Sequence, residues 1–123
     1  KSRRDFTDVR DVVRAYRALI LDGEAGEVYN VGGGNPQSVN RLVELLEGDV
    51  EYVPKRPGEP DCTWADISKV RERLGWEPKV SFEEGVTEML NHIDYWREAP
   101  VWDAESIQTA TRTWFNMFEK SCK

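Results

Sequence analysis

Apolar positions recur every three or four residues in five stretches of this chain, and each stretch predicts a helix with one buried face. Val9, Val12, Val13, Tyr16, Leu19 and Ile20 form the first stripe, within residues 5–22. Thr7 is placed to cap that helix, with Asp8 in its first turn, and Gly23 and Gly26 to end it. Leu42, Val43, Leu45 and Leu46 mark a second helix, capped by Ser38 and running to about Glu47. Ile67, Val70 and Leu74 mark a third, between Asp66 as cap and Gly75 as stop. Ser81 and Glu84 form a capping box for a fourth, with Phe82, Val86, Met89, Leu90, Ile93 and Trp96 on one face. Asp103 starts the last, whose stripe is Ile107, Ala110, Trp114 and Phe118. Two short runs, residues 27–31 and 50–53, read as strands.

Helix alternates with strand early and helices dominate late, so the fold class is α/β. A chain of 123 residues that is 39% hydrophobic and 33% charged suits one globular domain or a large piece of one. No internal repeat, no apolar run long enough to span a bilayer and no signal-peptide pattern is visible in these 123 residues. The net charge of −6 argues against a nucleic-acid binder. That charge is uneven: six basic and three acidic residues make the first 17 positions net positive. A basic end on an acidic chain fits a small anionic ligand, although Arg14 and Arg17 also suit a solvated helix face. Cys62 and Cys122 form neither a disulfide framework nor a metal spacing, and such sparse cysteine usage points to the cytoplasm. His92, the single histidine, has no partner at metal-ligand spacing. The five tryptophans read as core or interface residues.

Candidate chemistry concentrates in Arg56-Pro57-Gly58-Glu59. A fork-shaped cation stands three residues from a carboxylate, across a rigid Pro and a permissive Gly. A guanidinium grips a diphosphate bidentately, and a carboxylate accepts from two ribose hydroxyls. Alone, the four residues suit an exposed turn equally well. They are followed by Thr63-Trp64-Ala65-Asp66-Ile67-Ser68-Lys69 and Leu74-Gly75-Trp76-Glu77-Pro78, and preceded by Arg4-Asp5-Phe6-Thr7-Asp8-Val9-Arg10-Asp11. Between them, Asn30-Val31-Gly32-Gly33-Gly34 lacks the Lys-Ser/Thr of a P-loop and the spacing of a dinucleotide fingerprint. It reads as a tight turn whose glycines adopt positive φ.

Together these runs resemble the substrate-binding part of extended short-chain dehydrogenase/reductase enzymes: the nucleotide-sugar epimerases, dehydratases and reductases. The Asp-Phe-Thr-Asp-Val-Arg-Asp version is most similar to the GDP-deoxymannose reductase branch. The resemblance implies Arg4 and Arg56 on a diphosphate, Glu59 on ribose and Thr63 near the sugar. Asp66 and Lys69 are structural, and the competing reading of Arg4 is a surface pair with Asp5 or Asp8, worth little. Residues 1–96 are then the nucleotide-sugar-binding portion and 97–123 a helical tail of the same domain.

The family's cofactor, NAD or NADP, sits on a Gly-rich helix start in an N-terminal half, and its base is the Tyr of a Tyr-x-x-x-Lys pair. None of Tyr16, Tyr29, Tyr52 and Tyr95 has a Lys four positions on, and the chain starts without Met inside a family-like motif. The expectation is a C-terminal portion without its Rossmann half, binding no cofactor and catalysing nothing alone. The complete enzyme is expected to be a homodimer acting on a nucleoside-diphosphate sugar. The alternatives are a reductase fragment and a stand-alone nucleotide-binding module.

Overall fold

The computed structural model describes residues 2–52, 54–55 and 58–121, except the side chains of 118–121. The element order is β1 (Arg3–Arg4), α1 (Val9–Asp22), β2 (Gln37–Ser38), α2 (Val39–Leu46), α3 (Ser68–Leu74), α4 (Phe82–Asn91), a 3-10 turn (Ile93–Trp96) and α5 (Ala104–Ser121). β1 and β2 pair antiparallel, Arg3 opposite Ser38 and Arg4 opposite Gln37. On its other side Arg3 bridges to Cys62 in parallel fashion. The class is α/β, as the sequence predicts, but its strands lie elsewhere. Residues 27–31 and 50–52 are not strands, and position 53 lies outside the described residues. Tyr29 and Val31 do pack on the core, as a strand's side chains would. Their backbone has no ladder partner among the described residues, and a strand exists only with a neighbour.

Local signals set most helix ends. Asp8, rather than Thr7, caps α1: its backbone is extended and its Oδ1 accepts from Arg10 N at 2.9 Å. The Thr7 hydroxyl instead donates to Asp5 O at 3.4 Å. Ser38 Oγ accepts from Arg41 N at 3.0 Å, and Ser81 Oγ from Glu84 N at 3.1 Å. Gly75 closes α3 in the left-handed region at φ 59°. Asp66 acts two residues ahead of that helix, its Oδ1 taking both the N–H and the hydroxyl of Ser68. Asp103 Oδ1 accepts from Ser106 N at 2.7 Å at the start of α5.

The core centres on Ala15, Ile67, Val70 and Trp76, where α1 crosses α3 and the loop after it. α1 therefore buries a different face from the one its apolar stripe predicts. Asp11 and Ala15 are 1% and 2% exposed, whereas Val9, Val13, Tyr16 and Ile20 are 61–81% exposed. The small Ala15 allows close approach to α3. Asp11 is accommodated because each of its acceptors is used. Its Oδ2 takes Lys79 N and Val80 N, both at 3.0 Å, and its Oδ1 pairs with Arg14. Its carbonyl accepts from Trp76 Nε1 at 3.2 Å.

α4 keeps only the first part of its predicted face inside. Val86 is buried, and Phe82 stacks on Phe6 with centroids 5.0 Å apart. Leu90 is half-buried and Met89 43% exposed; the α-helix stops at Asn91, and Ile93 and Trp96 beyond it are 50% and 58% exposed. Along α5 the less exposed positions are Ala104, Ser106, Ile107, Thr111 and Phe115, a register shifted from the predicted Ile107, Ala110 and Trp114; Phe118 lies outside the described side chains. Of the five tryptophans only Trp76 is buried. No helix among the described residues is long and apolar enough to cross a membrane.

Candidate functional site

The segment 61–63 runs beside β1. Arg3 N donates to Asp61 O at 2.8 Å, and Thr63 N donates to Arg3 O at 3.2 Å. This pairing carries the turn at Gly58, φ 76°, up against Arg4. There the Arg4 and Glu59 side chains, 55 residues apart in sequence, meet: Arg4 Nη2 donates to Glu59 Oε1 at 2.8 Å. The pair is partly covered, with side chains 24% and 34% exposed. Arg4 Nη1 donates to Arg3 O at 2.8 Å and to Pro60 O at 3.1 Å. Two of the three residues nominated for substrate binding are thus brought together. The third, Arg56, lies outside the described residues.

Asp5 and Asp8, the surface partners weighed for Arg4, are engaged elsewhere. Asp8 holds Arg10 through a two-point contact, and that guanidinium lowers its carboxyl below the usual range. Asp5 Oδ2 accepts from Ala65 N at 3.1 Å, which ties β1 to the start of the α3 segment. Sequence reasoning missed Lys55, which pairs with Asp61 at 2.5 Å. Its signal was present, a second basic residue adjoining Arg56. Lys55 lowers the Asp61 carboxyl.

The Gly-rich turn at 32–34 is packed by the chain itself. A Cβ at Gly32 would lie 2.5 Å from Asp5 Oδ2 and 2.7 Å from Ala65 Cβ. One at Gly33 would collide with the Phe6 carbonyl. Only Gly34 of the three uses positive φ, at 69°, so the other two serve close approach rather than backbone handedness. A pyrophosphate cradle needs that space open, so these residues do not fit a dinucleotide. His92 is exposed, its Nδ1 3.0 Å from Glu88 O. Among the described residues no group of His, Cys, Asp and Glu could hold a metal ion. Two cavities flank the region. One of about 730 Å³ lies between Tyr52, Pro54 and the Ile107–Phe115 side of α5. One of about 370 Å³ lies between Phe6, Leu42 and Phe82.

An α/β chain with these motifs in this arrangement is of the extended short-chain dehydrogenase/reductase class. Residues 1–89 match the family model described as GDP-mannose 4,6-dehydratase, and the chain belongs to that family. It is 37% identical over 112 residues to a UDP-glucuronate 4-epimerase of Thermodesulfobacterium geofontis, a match covering 85% of this chain and 31% of the epimerase. It is 33% identical over 108 residues to a dTDP-glucose 4,6-dehydratase of Streptomyces niveus, covering 82% and 31%. A GDP-6-deoxy-D-mannose reductase of Pseudomonas aeruginosa is 33% identical over 96 residues, covering 72% and 32%. Among solved structures, the UDP-glucose 4-epimerase of Thermotoga maritima, with UDP-glucose, superposes with a TM-score of 0.68 at 37% identity, covering 76% of this chain and 32% of that one. The dTDP-glucose 4,6-dehydratase of Bacillus anthracis, in complex with NAD, gives 0.68 at 30% identity, covering 80% and 33%. The chain spans about a third of the length of the relatives it matches.

Proposed function

We propose that this chain is the substrate-binding portion of an NAD(P)-dependent nucleotide-sugar epimerase or dehydratase. Glu59 accepts from ribose hydroxyls, and Arg4 and Arg56 grip the diphosphate, Arg4 standing in hydrogen-bond contact with Glu59. The cofactor, NAD or NADP, and the catalytic base belong to the rest of the enzyme, which this chain contacts and without which it turns nothing over. In such enzymes the cofactor oxidises a sugar hydroxyl while a Tyr acts as base. Residues 1–96 form the binding portion and 97–123 its helical tail.

The observation that carries this reading is the meeting of Arg4 with Glu59 at 2.8 Å next to the turn at Gly58, in a chain whose relatives are named as nucleotide-sugar epimerases and dehydratases. A reductase outcome is supported by the Pseudomonas relative, at lower identity than the epimerase. A stand-alone module is disfavoured by α1, which exposes Val9, Val13, Tyr16 and Ile20 on one stripe. That is more contiguous apolar surface than a self-contained domain usually leaves.

The test is an NMR titration of the 123-residue chain with UDP-glucose, dTDP-glucose and GDP-mannose. At least one should bind saturably, with shifts around Glu59 that Arg56→Ala weakens. Absence of saturable binding by all three overturns the binding role. Reduction of NAD by the pure chain overturns its assignment as a non-catalytic portion.

A further inference from the structure

The run Glu27-Val28-Tyr29-Asn30-Val31 has the sequence of a strand but no ladder partner among the described residues. Burial alternates along it: Val28 and Asn30 are exposed, whereas Tyr29 and Val31 are half-buried against the core. That is the period of an extended chain with one face inside. Its two backbone edges differ. On one edge Lys69 of α3 reaches across. Its Nζ donates to Val28 O at 2.8 Å, pairs with Glu27 Oε2 at 2.5 Å and stands 4.8 Å from the centroid of the Tyr29 ring. In an extended chain the N–H and C=O of one residue point to the same edge, and those of the next residue to the other. With Val28 turned to Lys69, Tyr29 and Val31 turn their N–H and C=O to the opposite edge. Among the described residues these four groups have no hydrogen-bond partner.

We infer that residues 27–31 are an edge strand whose neighbour is a β-strand in the rest of the enzyme, and that Lys69 is a positioning residue which holds the segment for it. This rests on the reading of the chain as one portion of a longer enzyme. The chain spans about a third of the relatives it matches, so a neighbouring strand has a source outside these residues. An open row of N–H and C=O groups is a template for the addition of one strand. The apolar surface agrees. The α1 stripe of Val9, Val13, Tyr16 and Ile20 is 61–81% exposed, and Val28 is 77% exposed. A helix about 10 Å across covers two strands set about 4.8 Å apart. α1 therefore has apolar side chains left for a second strand beside 27–31. A second copy of this chain fits the edge less well, because each copy carries net charge −6 and the two repel.

The experiment is backbone hydrogen exchange at residues 27–32, in the complete enzyme and in the 123-residue chain. The amides of Tyr29 and Val31 should exchange at least about 100-fold more slowly in the complete enzyme, as ladder amides do when they open only with their sheet. Lys69→Met keeps the length of the side chain and removes the ammonium. In the complete enzyme it should speed exchange at these two amides by about tenfold while leaving those of α4 unchanged, a local loosening rather than a general loss of structure. Lys69→Arg, which keeps a donor for the Val28 carbonyl, should recover most of the protection. If Tyr29 and Val31 exchange equally fast in the complete enzyme and in the chain alone, no strand lies against them and the inference fails. Protection in the chain alone that disappears on dilution would assign the edge to a second copy and overturn it as well. Protection that Lys69→Met leaves intact would remove Lys69 from the positioning role. A protected edge in a complete enzyme that binds no nucleotide sugar would refute the proposed function and leave this inference standing.

Discussion

A carboxylate at Asp11 collects two backbone N–H groups and one guanidinium at a site only 1% exposed. Burial alone would raise its pKa. The Arg14 pair and the N–H groups of Val80 and Lys79 outweigh it, so the carboxyl lies below its ordinary value. A carboxylate whose folded pKa is depressed adds stability above its unfolded pKa of about 4 and loses it as pH falls through the folded value. Asp11→Ala orphans both N–H groups, and about 3 kcal/mol of stability is expected to go with them. Urea denaturation at pH 7 measures this, and the gap between wild type and variant should narrow in acid. An unchanged gap at pH 3 would mean that Asp11 does not titrate with folding. Gly32 poses a steric question at the same scale. Gly32→Ala drives a methyl into Asp5 and Ala65, and a loss of about 1–3 kcal/mol is expected from such overpacking. Gly48→Ala, with nothing within 4 Å of the added atom, should stay within about 0.5 kcal/mol. Equal melting shifts for the two would remove close approach as the reason for glycine at 32.

Among the elements, α1 shows what sequence pattern reveals and what it conceals. Its existence follows from apolar period and capping, as do the starts of α2 and α4 and the Gly75 stop of α3, because those signals act within four residues. Which face it buries does not follow. Val9, Val13, Tyr16 and Ile20 point away from the described core, and the buried strip is Asp11 and Ala15, a choice set by α3 and Trp76 across the chain. The strands predicted at 27–31 and over the described residues 50–52 failed for a related reason, since pairing needs a partner that local composition does not supply. The site divides in the same way. Arg4 and Glu59 were legible as candidate residues through motif chemistry, but their meeting across 55 residues was not. The exposed stripe has a measurable consequence. Val13→Gln and Ile20→Gln should change stability by about 0.5 kcal/mol or less, whereas core positions would cost about 2–5 kcal/mol. They should also reduce binding of a fluorescent apolar dye to the isolated chain. A large loss of stability would show that the stripe is covered.

For the whole molecule, charge and coverage bear on one another. The chain carries net charge −6, yet the residues proposed for the diphosphate are the cations Arg4 and Arg56, with Lys55 adjoining Arg56 in sequence. Lys55 is paired with Asp61 and Arg4 with Glu59, and Arg56, which lies outside the described residues, is proposed as a phosphate ligand on motif chemistry alone. In the complete enzyme Arg56→Ala is therefore expected to raise KM for the nucleotide sugar by one to two decades, on the order of 1.5–3 kcal/mol for a charge-assisted hydrogen bond. On the proposed function the chemistry falls at the sugar rather than at the diphosphate, so kcat should change less than KM. Lys55→Ala should have a smaller effect, since it also releases Asp61 from its pair and the loss is a surface one. Steady-state kinetics of the two variants decide the matter. A KM that Arg56→Ala leaves unchanged would remove the diphosphate from this turn, and with it the strongest reason to read the Arg4–Glu59 corner as a nucleotide site.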